Sequence, residues 1–280
     1  LALCLLLPLL WPRIDRPADG EVDLLMVDVG QGSAVLVRTA RHALVYDMGP
    51  ASTDGWDAGE RAVLPALRAL GVRRLDRAVA SHDDTDHAGG WQALRSAHPA
   101  TPLLAPPGST LAEARECRAG EGWEWDGVRF SFLHPTPFFP YLGNESSCVL
   151  RIEAAGASAL LVGDIGEVIE QRLQRLDPDA LRNDVVLVGH HGSLHSSTAA
   201  FVTATGASHA LISRGYGNRF GHPHPDVVER WQAGGAALRD TALDGAVHLR
   251  LGQGVETATE RRARPRLWDA VTRAAMQPPA

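Results

Sequence analysis

The sequence predicts an α/β protein in which helices cover the faces of the sheets. Three observations point there. The apolar runs Leu75–Ala80, Ala157–Val162, Val185–Val188 and Ala210–Ser213 are continuous rather than alternating, the mark of short strands buried on both faces. Helical patterns stand between the runs. With 280 residues, 45% of them hydrophobic, the chain can bury a full-sized core. No linker or internal repeat divides it, so one domain is expected over residues 21–255.

Taken in order, Leu1 to Trp11 is an apolar run too short for a membrane span of about 20 residues. It stops at Trp11-Pro12-Arg13, an aromatic beside a charge as at a membrane interface. Residues 1–20 therefore read as the end of a truncated transmembrane helix plus a linker; a signal-peptide remnant or a buried strand are the other readings. Leu24–Val29 and Ala34–Arg38 read as strands joined by Gly30-Gln31-Gly32-Ser33, and Ala43–Tyr46 as a strand that delivers Asp47. A helix over Glu60–Leu70 stops at Gly71. Leu75–Ala80 then runs into Ser81-His82-Asp83-Asp84-Thr85-Asp86-His87-Ala88-Gly89-Gly90. Ala157–Val162 runs into Gly163-Asp164, Val185–Val188 into Gly189-His190-His191-Gly192-Ser193, and Ala210–Ser213 into Gly215–His224. Asp244-Gly245 reads as a hairpin turn between Thr241–Leu243 and Ala246–Leu251. Residues 256–280 read as a basic tail around Arg261 to Arg266, with a short helix near Leu267 to Met276.

Composition removes several classes. The 28 Gly and 18 Pro are spread along the chain, which excludes low-complexity, collagen-like and disordered classes. The net charge of −6 argues against a whole-surface nucleic-acid binder, though not against a local basic patch. Three cysteines (Cys4, Cys117, Cys148) with no CxxC pair cannot make a disulfide framework or a thiolate zinc site.

The chemistry gathers in one segment. His82, Asp84, Asp86 and His87 are four possible metal ligands within six residues. Alternate residues of an extended segment point the same way, so His82, Asp84 and Asp86 can converge while His87 turns in from the following helix start. Gly89-Gly90 permits close backbone approach. A helix cap needs one carboxylate, not three flanked by two histidines, and imidazole is not a usual calcium ligand. In open sheets ligand groups collect beyond the carboxyl ends of the strands. Several strands here deliver His or Asp to one such edge, which is a metal-site pattern.

The segment resembles the His-x-His-x-Asp-His signature of the metallo-β-lactamase superfamily, with Asp84 in place of the second histidine. Val27-Asp28-Val29-Gly30-Gln31-Gly32, Ser81-His82 through Gly90, Leu161-Val162-Gly163-Asp164, Val188-Gly189-His190-His191-Gly192-Ser193 and Gly221-His222-Pro223 follow in order. That order resembles the C-terminal hydrolase domain of the ComEC family, inner-membrane channels for DNA uptake in naturally competent bacteria. The resemblance covers residues 21–251 and implies a four-layer αβ/βα sandwich. It implies His82 and Asp84 as ligands of one metal, Asp86, His87 and His190 as ligands of a second, and Asp164 as a bridging carboxylate. Two departures stand out. Ser33 occupies a position where members carry Asp. The superfamily's isolated histidine has no clear counterpart, Asn144 and His134 being the candidates by spacing.

The resemblance further implies a nuclease: a phosphodiesterase that degrades the strand not imported, using a water activated between two divalent ions. A carboxylate at Asp84 shifts the donor set toward hard oxygen, so manganese is expected first and zinc second. Asp86, His191 and His222 are candidate catalytic groups. Ser193, Arg214 and Arg219 are candidate substrate contacts, binding single-stranded DNA without base specificity. Asp28 and Asp47 are candidates for orienting ligands. Trp56, Trp91, Trp123 and Trp125 could stack bases, with core or loop packing as the plainer reading. Two alternatives remain: hydrolysis of a small ester, thioester or lactam on the same metals, and a non-catalytic DNA- or partner-binding module. Implied partners are the membrane channel portion of the same longer protein and other competence proteins. Arg13 and Arg16 would favour the cytoplasmic side; the family comparison favours the outer face of the bacterial inner membrane.

Overall fold

The structure, a computed structural model, describes residues 14–266 together with 268, 269, 271 and 273. The membrane-helix end expected at Leu1 to Trp11 lies outside these residues, as does most of the short helix expected near Leu267 to Met276. Among the described residues no helix is long and apolar enough to cross a membrane.

Among the described residues, fifteen strands form two mixed sheets. The first contains β1 (Val22–Met26), β2 (Val35–Arg38), β3 (Ala43–Tyr46), β4 (Arg77–Val79), β5 (Leu103–Ala105), β6 (Arg115–Glu116), β14 (Val247–Leu251) and β15 (Val255–Thr259), in the order β15-β14-β1-β2-β3-β4-β5-β6. The second contains β7 (Gly122–Trp125), β8 (Val128–His134), β9 (Val149–Glu153), β10 (Ser158–Leu161), β11 (Val185–Leu187), β12 (His209–Ile212) and β13 (Ala237–Asp240), in the order β13-β12-β11-β10-β9-β8-β7. β3 to β6 run parallel in the first sheet, and β10 to β13 in the second.

The continuous apolar runs have a direct explanation in the two-residue period of a strand. In β10 and β11, Ala159, Leu161, Val185 and Leu187 face the other sheet, while Leu160, Val162, Val186 and Val188 face helices. In β2 and β3 the same split puts Val35, Val37, Leu44 and Tyr46 inside and Leu36, Ala43 and Val45 against helices. Three apolar layers result, and they define the four-layer sandwich. The central layer joins the sheets, with Leu24, Met26, Phe130, Phe132 and Leu150 buried at its heart. A second lies between the first sheet and α1 (Leu64–Ala69) and α3 (Trp91–Ala97), through Leu64, Leu67, Trp91 and Leu94. A third lies between the second sheet and α4 (Glu167–Leu176), α5 (Ala199–Thr205) and α6 (Pro225–Ala233), through Ile169, Leu173, Phe201, Val227 and Trp231. Burying each such side chain stabilises the fold by about 1.5–3 kcal/mol relative to leaving it exposed.

Two expectations are corrected. Thr241–Asp244 is not a strand ending in a hairpin but a single helical turn, α7. Asp240 explains it: its carboxylate accepts from the Ala242 amide at 2.8 Å and so caps that turn. The hairpin lies one step later, between β14 and β15. The cysteines, read as too few for a disulfide framework, nevertheless form one bridge, Cys117–Cys148. It joins the segment after β6 in the first sheet to the start of β9 in the second.

Candidate metal centre

β3 and β4 end side by side, and their carboxyl ends carry half of the centre. Asp47 follows β3 in the left-handed region (φ 57) and is fully buried. Its carboxylate accepts from the Ser81 amide at 2.7 Å and from Ser81 Oγ at 3.0 Å, and lies 2.8 Å from His87 Nδ1. His82 follows Ser81 and is completely buried. Its Nδ1 stands 3.0 Å from Ser81 Oγ, whereas its Nε2 is buried without a hydrogen-bond partner. The single turn α2 (Thr85–Ala88) begins after Asp84 and carries Asp86 and His87.

The second sheet supplies the other half from the same edge. Asp164 follows β10, its amide donating to Ser147 Oγ at 3.1 Å. β11 leads into the tight turn Gly189–Gly192, where His190 and His191 both take left-handed φ values, 51 and 55. His191 is buried, and its Nδ1 lies 2.8 Å from the Ser213 carbonyl at the end of β12.

The Nε2 atoms and carboxylates converge. His87 Nε2 is 3.2 Å from Asp164 Oδ1 and 3.2 Å from His191 Nε2. His191 Nε2 is 3.3 Å from Asp86 Oδ2 and 3.7 Å from Asp164 Oδ2. His82 Nε2 is 3.5 Å from Asp84 Oδ2. Two donor groups, His82 with His87 and Asp164, and Asp86 with His87 and His191, each fall within 4.8 Å.

Electrostatics shows what this packing needs. Burial pushes the His87 imidazolium down, yet the Asp164 and Asp47 carboxylates outweigh it and raise the pKa well above its usual value. Burial likewise pushes Asp164 up, but His87 and His191 bring it far below the carboxylate range. Asp86 is lowered too, His191 and His87 overcoming its burial. The carboxylates thus stay ionised and demand positive charge. With their Nδ1 atoms held by Ser81, Asp47 and Ser213, His82, His87 and His191 offer Nε2 to a cation in the manner of metal-bound imidazoles. The mixed nitrogen and oxygen donors, and the orphaned His82 Nε2, fit a divalent metal.

Not every expected residue reaches this point. His191, expected as a catalytic group, stands among the donors. His190, expected as a ligand of the second metal, is one-third exposed with its Nε2 3.8 Å from Asp164 Oδ2. Asn144 Nδ2 is 3.5 Å from His190 Nε2. His134 lies outside both donor groups: its Nε2 meets the Glu145 carbonyl at 2.8 Å, its ring packs on Phe139, and burial takes its pKa down to about 4. The His222 ring stands 5.7 Å from that of His190 and 6.5 Å from that of His191. Arg214, expected to contact substrate, is committed to Asp240 at 2.6 Å. Ser193 is buried, its hydroxyl accepting weakly from the His195 amide at 3.5 Å. Asp28 accepts from the Gly30 amide at 3.4 Å and pairs with Arg261 at 3.2 Å. Arg219 is exposed, 5.0 Å from the Phe220 ring. Trp123 stacks on Phe130 under Arg77, with Trp125 beside it, so both pack on the sheet. Ser81, Ser147 and the Ser213 carbonyl have no mark in the sequence, because a serine beside a histidine carries no signature of its own.

Comparison with known proteins fixes the family. The metallo-beta-lactamase superfamily profile matches residues 27–215. The chain belongs to that superfamily. Its members are typically metal-dependent hydrolases, which agrees with the donor set above. The competence protein ComA of Neisseria gonorrhoeae is 39% identical over 242 residues, 86% of this chain and 34% of ComA. Recombination protein 2 of Haemophilus influenzae is 34% identical over 247 residues, 88% of this chain and 30% of that protein. The chain spans about a third of the length of these relatives. Among solved structures, a CmlA beta-hydroxylase mutant superposes with a TM-score of 0.55 at 16% identity, over 84% of this chain and 55% of its own. That likeness is one of fold alone.

Proposed function

We propose that this chain is the metal-dependent phosphodiesterase domain of a ComEC-like DNA uptake channel, a nuclease that degrades the strand not imported. The observation that carries the reading is the convergence of three Nε2 atoms on Asp164 and Asp86, in a superfamily hydrolase similar to competence proteins. His82, Asp84 and Asp164 would hold one divalent ion; Asp86, His87, His191 and the shared Asp164 would hold a second. Ions bound there supply a readily deprotonated water and a clamp for a phosphate undergoing in-line displacement. Asp84 adds oxygen where the superfamily signature has nitrogen, so manganese is preferred and zinc is second.

The other residues act around that pair. Burial holds the pKa values of His190 and His222 below the ordinary histidine value, so each is neutral near pH 7. A neutral imidazole offers one N–H to a phosphate oxygen or to the leaving oxygen, and His222 is assigned that task. Asn144 keeps His190 at the mouth of the centre. Arg219 meets the DNA backbone as an exposed cation. The partners in this reading are single-stranded DNA, the channel portion of the same longer protein and other competence proteins. The Cys117–Cys148 bridge supports the outer face of the inner membrane, since such bridges persist in oxidising compartments.

The test is cleavage of single-stranded DNA and of a chromogenic β-lactam by the purified chain, with manganese and with EDTA. DNA cleavage with manganese, its loss in EDTA and an inert β-lactam are expected. Asp164→Asn removes a shared ligand, so its loss should exceed the roughly 10–100-fold typical of a residue that only orients a ligand. Turnover of the β-lactam or a thioester without DNA cleavage would make the chain a small-molecule hydrolase. A purified chain that binds no metal would make it a binding module.

A further inference from the structure

Beside the metal centre lies a cavity of about 540 Å³ lined by Gln31, Pro50, Thr85, Asp86, Asn218, Arg219 and Phe220, within the roughly 300–1,000 Å³ of small-ligand pockets. One wall is the turn that carries Asp86. The loop after β12 supplies another part of the lining, and there Phe220 keeps 53% of its surface exposed. Its ring lies 5.7 Å from that of His222, nearly parallel at 25°. The guanidinium of Arg219 stands 5.0 Å from the same ring and, among the described residues, pairs with no carboxylate.

The loop that presents this ring is braced from within. Asn218 Oδ1 accepts from the Phe220 and His222 amides, and its Nδ2 donates to the Gly215 and His222 carbonyls. Gln31 Oε1 accepts from the Gly215 amide and ties the loop to the one after β1. The aromatic face is therefore held in place before any ligand arrives, which limits the ordering cost of binding. Asn218 has spent its amide on the loop and has little left to read a base edge.

We propose that this cavity is a nucleobase pocket: one base of a single strand stacks on Phe220, Arg219 meets an adjoining phosphate, and the chain runs past Asp86 into the metal centre. The inference rests on the phosphodiesterase reading and specifies how that site takes its substrate. An aromatic face with a neighbouring arginine binds every base alike, because each has a π-face. The pocket thus gives hold without sequence preference, and it selects strands whose bases are free of a duplex.

The experiment measures binding in EDTA, by fluorescence anisotropy at low salt, with the 280-residue chain. The probes are a ten-residue oligothymidylate and a fully abasic strand of equal phosphate count. The unsubstituted chain should bind the oligothymidylate about ten-fold more tightly, within the range of one base stacked on one ring. Phe220→Ala should bring the two affinities together, and Phe220→Trp should keep them apart. Arg219→Ala should weaken both strands alike and flatten the salt dependence. A ratio that survives Phe220→Ala, or equal binding of both strands by the unsubstituted chain, overturns the pocket. The phosphodiesterase reading fails on a different result, the absence of metal-dependent DNA cleavage. Cleavage with equal binding of the two strands overturns the pocket alone.

Discussion

Asp47 decides how His87 presents itself. Its carboxylate holds Nδ1 at 2.8 Å and is itself fixed by the amide and hydroxyl of Ser81, so Nε2 is left to face Asp164 and His191. Asn at this position keeps the shape and tolerates the left-handed backbone (φ 57), but it weakens the hydrogen bond that makes the imidazole a good donor. Asp47→Asn should lower metal affinity about 10–100-fold with little change in secondary structure, as a calorimetric manganese titration would show; unchanged affinity would remove Asp47 from the centre. At this scale the sequence reveals chemistry better than assignment. That His82, Asp86, His87 and Asp164 come together is legible because each follows an apolar run or shares one short motif. His190 and His191 are indistinguishable as letters. Both take the left-handed backbone; what separates them is the Ser213 carbonyl, which anchors only the second.

Between elements, the centre depends on how closely three backbone segments approach. A Cβ on Gly90 would stand 2.3 Å from the Met48 carbonyl and 2.7 Å from the Gly59 amide, so the end of the Asp86–His87 segment, the loop after β3 and the helical turn at Gly59–Val63 touch through bare backbone. None of these atoms can rotate away as a flexible side chain would. Gly90→Ala should therefore separate the segments and destabilise the protein by about 2–4 kcal/mol, beyond the ordinary range for a surface change. Gly254→Ala, at a site with nothing within 4 Å, should stay within about 0.5 kcal/mol. Midpoints of denaturant unfolding for the two variants check this, and equal midpoints would mean that the contact carries no weight. Elements were legible wherever burial on two faces wrote a continuous apolar run, as in Val185–Val188. Asp244-Gly245 is the exception, because the turn dipeptide there competes with a cap formed by Asp240 and loses.

Across the whole molecule the two sheets meet at few covalent points, and the bridge is one of them. Cys117 and Cys148 are 31 residues apart in sequence and both fully buried. The Cys148 amide donates to the Ser81 carbonyl at 2.9 Å, and Tyr46 Oη donates to the Cys148 carbonyl at 2.7 Å. The bridge thus fixes the second sheet against the strand end from which His82 projects. No spacing rule pairs two cysteines from different sheets, since their approach depends on the packing of the entire sandwich. Closing a loop of this length restricts the unfolded chain by about 3–4 kcal/mol on the chain-entropy argument. The Cys117→Ala/Cys148→Ala variant, and the chain unfolded with reductant present, should both lose stability of that order relative to the oxidised chain, while β-sheet content by circular dichroism stays the same. Peptide mapping without reductant should find the Cys117 peptide linked to the Cys148 peptide in protein secreted to the periplasm and separate in protein kept in the cytosol. If the oxidised and reduced chains unfold at the same denaturant concentration, the bridge contributes nothing to holding the sheets together; if the two peptides stay separate even in the periplasmic protein, the bridge does not form there and its support for an outer-face location falls.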